Sequence, residues 1–106
     1  MPRKAMRDLF IDRRVAVDPV PLASKKKGTI MYRGLLSVSG ADSVYLYAGY
    51  GDNWENTHLV PMTKVDDVTW STDVTVEGDK RLNFCFKDSA DHWDNNSGLN
   101  WGVEIV

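Results

Sequence analysis

One cysteine, two histidines and four prolines in 106 residues narrow what this chain can do. A single thiol excludes an intrachain disulfide. Cys85, His58 and His92 are too few and too scattered for a zinc set, so no metal is expected there. No stretch approaches the ~20 consecutive apolar residues of a membrane-spanning helix. The basic N-terminus lacks the apolar run of a secretory signal, so the expected location is cytoplasmic. There is no Gly-x-Ser-x-Gly elbow, and Cys85 lies in Leu82-Asn83-Phe84-Cys85-Phe86, far along the chain from either histidine. A nucleophile needs a partnered base. We therefore assign no catalytic residue and no cofactor, and read Cys85 as a buried structural thiol. Gly49-Tyr50-Gly51 is too short to cradle phosphate, and no helix follows to hold an anion at its N-terminus.

Hydrophobic residues make up 42% of the chain, enough for one packed core. The formal net charge of −2 is unevenly placed. Residues 1–28 hold eight Lys/Arg against three Asp/Glu, and residues 29–106 hold five against twelve. An acidic body disfavours nucleic acid as the main ligand, because phosphate contacts need clustered cations. We read residues 1–28 as a basic, partly ordered arm and residues 29–106 as the folded domain. In the arm, Met6, Leu9 and Phe10 have helical spacing. Asp18-Pro19-Val20-Pro21 breaks any helix, and Lys25-Lys26-Lys27-Gly28 marks the domain edge.

From Thr29 on, strand patterns alternate with turns. Thr29 to Val38 is rich in β-formers, and Ser39-Gly40-Ala41-Asp42 turns the chain. Ser43 to Gly49 alternates tyrosines with small or aliphatic residues. Thr57 to Met62 is a short extended piece whose Pro61 suits a sheet edge. Trp70, Thr72, Val74 and Val76 share one face of the next strand, and Leu82, Phe84 and Phe86 share one face of the strand after it. Trp101 to Val106 closes the chain as a last strand. About six to eight short antiparallel strands predict an all-β sandwich.

The tryptophans divide by context. Trp70 alternates with apolar residues and reads as core. Trp101 opens the last strand and is open to either core or rim. Trp54 lies in the polar loop Gly51-Asp52-Asn53-Trp54-Glu55-Asn56, and Trp93 lies between His92 and Asp94 in the turn-rich segment from Lys87 to Trp101. An exposed aromatic patch calls for something to cover it. An indole face can cover the C–H groups of a sugar ring, while nearby amides and carboxylates bond its hydroxyls. Asp88, Asp91, Asp94 and Asn96 also offer calcium ligands, but not with the spacing of the twelve-residue calcium loop. Turn formation by Asp and Asn accounts for them more simply. Asn95-Asn96-Ser97 matches a glycosylation triplet, which without a secretory signal reads as chance.

Three segments carry a resemblance. They are Val44-Tyr45-Leu46-Tyr47-Ala48-Gly49-Tyr50-Gly51 with Trp54, then Leu82-Asn83-Phe84-Cys85-Phe86-Lys87-Asp88, then Trp93-Asp94-Asn95-Asn96-Ser97-Gly98-Leu99-Asn100-Trp101. Residues 29–106 resemble the starch-binding carbohydrate-binding modules of family 25 and its relative family 53. The resemblance implies an immunoglobulin-like β-sandwich that binds α-1,4-linked glucans (starch, glycogen, malto-oligosaccharides) without cleaving them. Matched residue by residue, it implies that Trp54 and Trp93 are the platform indoles and Tyr47 the third ring, with Tyr45 and Tyr50 competing for that place. It further implies that Asn95 and Asn96 bond hydroxyls, with Lys87 and Asp88 as helpers. The expected partner is an α-glucan, intracellular glycogen above all. A homo-oligomer or a glycogen-metabolising enzyme is the further partner to look for. The main alternative is a protein-interaction module whose arm recruits an enzyme to glycogen. A single-strand nucleic-acid binder is the second alternative, separated by its steep salt dependence.

Overall fold

The computed structural model describes residues 14–106. In chain order the elements are β1 (Val15–Asp18), β2 (Lys27–Tyr32), the short helix α1 (Leu35–Val38), β3 (Val44–Tyr50), β4 (Glu55–Pro61), β5 (Thr63–Lys64), β6 (Trp70–Thr75), β7 (Leu82–Asp88), β8 (Trp93–Asp94) and β9 (Trp101–Val103). The strands form two antiparallel sheets packed as a sandwich. One has the order β1-β2-β6-β5; the other has the order β4-β3-β7-β8, with β9 also on β7. The all-β sandwich read from the alternation is the fold observed. Its nine strands among the described residues exceed the expected count, because β5 and β8 are two-residue strands and β1 lies in the segment read as an arm.

The strongest alternation makes the longest ladder. β3 and β7 pair from Val44 opposite Asp88 to Tyr50 opposite Leu82. Their inward residues Leu46, Phe84 and Phe86 meet Ile30 and Tyr32 of β2, and all five are fully buried. Tyr32 stacks on Phe86 across the two sheets at 4.1 Å between centroids. Trp101 packs on Phe86 at 5.4 Å and is buried, which settles it as core. Trp70 is buried as its pattern required.

The domain edge differs from the sequence reading. β1 pairs with β2, from Val15 opposite Tyr32 to Asp18 opposite Thr29. Val15, Val17 and Leu22 are fully buried, and the Leu22 amide donates to the Glu104 carbonyl at 2.9 Å. The folded body therefore includes β1 and Leu22, upstream of Thr29. The segment's cations concealed the short apolar run Val15-Ala16-Val17. The helical spacing of Met6, Leu9 and Phe10 lies outside the described residues. The strand expected from Thr29 to Val38 ends at Tyr32 and gives way to α1. Gly34 makes that corner. A Cβ there would sit 2.5 Å from the Tyr32 ring, so only glycine lets the backbone pass.

Candidate functional site

Because Val44, Leu46, Ala48 and Tyr50 of β3 face the core, Tyr45, Tyr47 and Gly49 point the other way. On β7 the outer positions are Asn83, Cys85 and Lys87. Register sorts them into rows. Tyr45 lies opposite Lys87, which lies opposite Trp93; Tyr47 lies opposite Cys85; Gly49 lies opposite Asn83. Tyr47 is the middle of the face. The Trp54 ring is 5.8 Å from it with planes 18° apart, and the Trp93 ring is 5.7 Å from it at 85°. Two near-parallel rings and one set on edge make an angled surface rather than a flat one. Trp93 is 48% exposed, and Tyr47 and Trp54 are half-buried.

Backbone geometry aims Trp54. Its φ of 50° is left-handed, which costs a residue with a Cβ about 1–2 kcal/mol. Its amide donates to the Gly51 carbonyl at 3.1 Å. The residue lies over Gly49, where a Cβ would come within 3.0 Å of Trp54 Cε3. An aromatic held in a costly conformation and stacked on Tyr47 points to a use for the ring.

Polar ties aim Trp93. Lys87 Nζ lies 5.7 Å from the Trp93 ring centroid and 5.8 Å from that of Tyr45, and is paired with Asp91 Oδ1 at 2.6 Å. Asp88 closes the β7–β8 hairpin. Its Oδ1 accepts from the Ala90 and His92 amides at 2.9 Å each, and its Oδ2 faces His92 Nδ1 at 2.9 Å. Burial opposes ionisation of Asp88, but the donors from His92 and Ala90 outweigh it and lower the pKa. Asp94 points inward, where the Tyr32 hydroxyl donates to its Oδ2 at 2.5 Å and accepts from the Leu36 amide at 3.0 Å. Burial, then the Asp94 bond, push the Tyr32 hydroxyl pKa far above its ordinary value. With Asp94 tied to the core, its neighbour Trp93 faces out.

The other expected residues fall as follows. Asn95 Oδ1 accepts from the Gly98 amide at 3.0 Å, and the Asn95 carbonyl accepts from Asn100 N at 2.7 Å. Asn96 accepts from Arg14 Nη2 at 2.7 Å and donates to the Asn100 carbonyl at 3.1 Å. Asn96, Ser97, Gly98 and Asn100 all have positive φ, so much of the asparagine content serves the turn. Of the competing tyrosines, Tyr50 is in the core and Tyr45 lies one row away beside Lys87. Cys85 is buried, but on the outer face opposite Tyr47 rather than in the core, and burial raises its thiol to about 11. The candidate calcium ligands Asp88, Asp91 and Asp94 each have a different protein partner. Among the described residues no three His, Cys, Asp or Glu side chains are grouped to hold a metal. No helix among them is long and apolar enough to cross a membrane. A cleft of about 330 Å³ opens elsewhere, between the edges of β4 and β6, and includes none of the three rings. The ring site is open surface.

The model of the starch/carbohydrate-binding module family 53 matches residues 28–84. The chain belongs to that family. The match spans Tyr47 and Trp54 and stops short of Lys87 and Trp93. Among solved structures, pullulanase from Anoxybacillus sp. LM18-11 has a similar fold. The TM-score is 0.53 at 19% identity, with 98% of this chain and 15% of that chain covered. This family 53 module thus spans a small part of that structure's length, and at such identity the likeness speaks for the fold alone. No curated protein matches the chain closely enough to count as a relative.

Proposed function

We propose that the outer face of the β4-β3-β7-β8 sheet binds α-1,4-linked glucans (starch, glycogen, malto-oligosaccharides) and does not cleave them. The observation that carries this is Tyr47, within 6 Å of indoles on both sides, on an open face that is not a pocket. An α-1,4 glucan curves, and rings set at an angle suit a curved chain of sugar faces. Each stacked ring contributes about 1–2 kcal/mol by apolar burial. Each hydrogen bond adds about 1 kcal/mol after desolvation. Isolated binding is then weak, on the order of micromolar to millimolar. Asn95 keeps its amide donor for a sugar hydroxyl, and Lys87 keeps donors beyond the one given to Asp91. Asn96 and Asp88 act by holding the loop and hairpin that present Trp93. The test is retardation in native gels containing glycogen or amylopectin. Wild type is retarded, and Trp93→Ala migrates as if no glucan were present. Equal retardation of the two proteins removes the site. The enzyme-recruiting alternative loses part of its arm, since residues 15–28 carry β1 and the start of β2.

A further inference from the structure

Asn95 and Asn96 spend side-chain groups on their own loop, yet a third asparagine lies among the rings. Asn83 sits half-buried on the outer face of β7, with Gly49 opposite on one side and Gly102 opposite on the other. Neither glycine leaves an empty space. Trp54 lies over Gly49, and the Arg81 guanidinium lies over Gly102, where a Cβ would be 2.3 Å from Nε. The Asn83 amide is therefore flanked by an indole and by a guanidinium that is itself paired to Glu104 at 2.6 Å. Asn83 Nδ2 donates to the Gly51 carbonyl at 2.9 Å, in the turn that also receives the Trp54 amide. That bond fixes the amide plane. It leaves Oδ1 with no protein donor among the described residues. The one fully buried side-chain oxygen or nitrogen without a partner among them is Ser37 Oγ, so Asn83 Oδ1 meets solvent.

Building on the glucan reading, we propose that Asn83 is a specificity-determining residue of this face, its Oδ1 accepting a hydroxyl of the glucose unit that lies on Trp54. A fixed acceptor beside an aromatic face recognises a hydroxyl in the plane of the stacked ring. It rejects a sugar that lacks the hydroxyl or carries it in the other orientation, because the acceptor then loses its partner. Arg81 and Trp54 hold the amide from both sides, so little ordering remains to be done on binding.

The experiment is calorimetric titration of maltoheptaose into wild type, Asn83→Ala and Trp54→Ala. A panel of monodeoxy maltosides is then run on the first two. Asn83→Ala binds maltoheptaose about five- to tenfold more weakly. One monodeoxy ligand costs wild type that same factor and costs Asn83→Ala nothing further, a coupling that a merely structural residue does not produce. Wild-type affinity in Asn83→Ala, with binding lost in Trp54→Ala, overturns the assignment and leaves the platform standing. Failure of wild type to bind maltoheptaose overturns the glucan reading itself. If Asn83→Ala does not fold, the wild-type side-chain amide signal of Asn83 decides. It shifts in step with the Trp54 indole signal during titration, or it stays still and the proposal falls.

Discussion

Trp93 and Trp101 are both indoles, eight positions apart, and have opposite fates. Trp101 is 5% exposed and packs on Phe84 and Phe86, whereas Trp93 is 48% exposed and its ring contacts are Tyr47 and Lys87. Trp101→Ala is expected to cost about 3–5 kcal/mol in urea unfolding. Trp93→Ala is expected to leave the melting temperature nearly unchanged and to weaken glucan binding by at least about tenfold. Trp54 adds a sharper case. Trp54→Gly removes the ring and also removes the penalty of a left-handed φ. That variant should melt above Trp54→Ala, which loses the same ring but keeps the strained φ, yet should lose glucan retardation. Polar neighbours set Trp54 and Trp93 apart from Trp70, whose neighbours alternate as in a core strand. The same neighbours made Asn95 and Asn96 look like sugar ligands, because asparagine suits turns and ligands for the same reason. Asn83 was unreadable as a site residue, since its neighbours Leu82 and Phe84 show only a strand.

At the scale of elements, the β7–β8 hairpin depends on two carboxylates with different surroundings. Asp88 has a lowered pKa, so its contribution to stability is fully present above the ordinary carboxylate value of about 3.9. It is lost as pH falls through the lowered folded-state value. Asp88→Asn should therefore melt earlier than wild type at neutral pH, and the two curves should converge in strong acid. Thermal melts across a pH series check this. Asp94 depends on Tyr32. Tyr32→Phe removes the donor to Asp94 Oδ2 and the acceptor for the Leu36 amide. It should cost about 1–3 kcal/mol in urea unfolding. Strands β3, β6 and β7 were legible because each alternates long enough to define a face. β1 was not, because three apolar residues between cations and two prolines carry no period. Helix α1 was not, because Leu35-Leu36-Ser37-Val38 is too short to nucleate alone. It forms because the Tyr32 hydroxyl receives the Leu36 amide and Gly34 lets the chain turn over that ring.

For the whole molecule, an open face fits a polymer better than an enclosed small molecule. Retention on glycogen should far exceed the affinity for a single malto-oligosaccharide wherever several modules share one polymer. Between about 0.05 and 0.5 M salt, binding to maltoheptaose should change little, because stacking and hydroxyl bonds involve no net charge neutralisation. A steep fall with salt would instead favour an anionic ligand. The acidic balance of residues 29–106 agrees with a neutral ligand.

Composition and period determined the all-β class, the inward faces of β3 and β7, and the polar settings of Trp54 and Trp93. These are properties of residues and their near neighbours, where water alone sorts apolar from polar side chains. Tertiary structure decided that both indoles come to one tyrosine, that Trp101 is core, and that Asn83 lies between Trp54 and Arg81. Those outcomes depend on which strands pair and in what register, and the burial of inward faces from segments distant along the chain sets that choice.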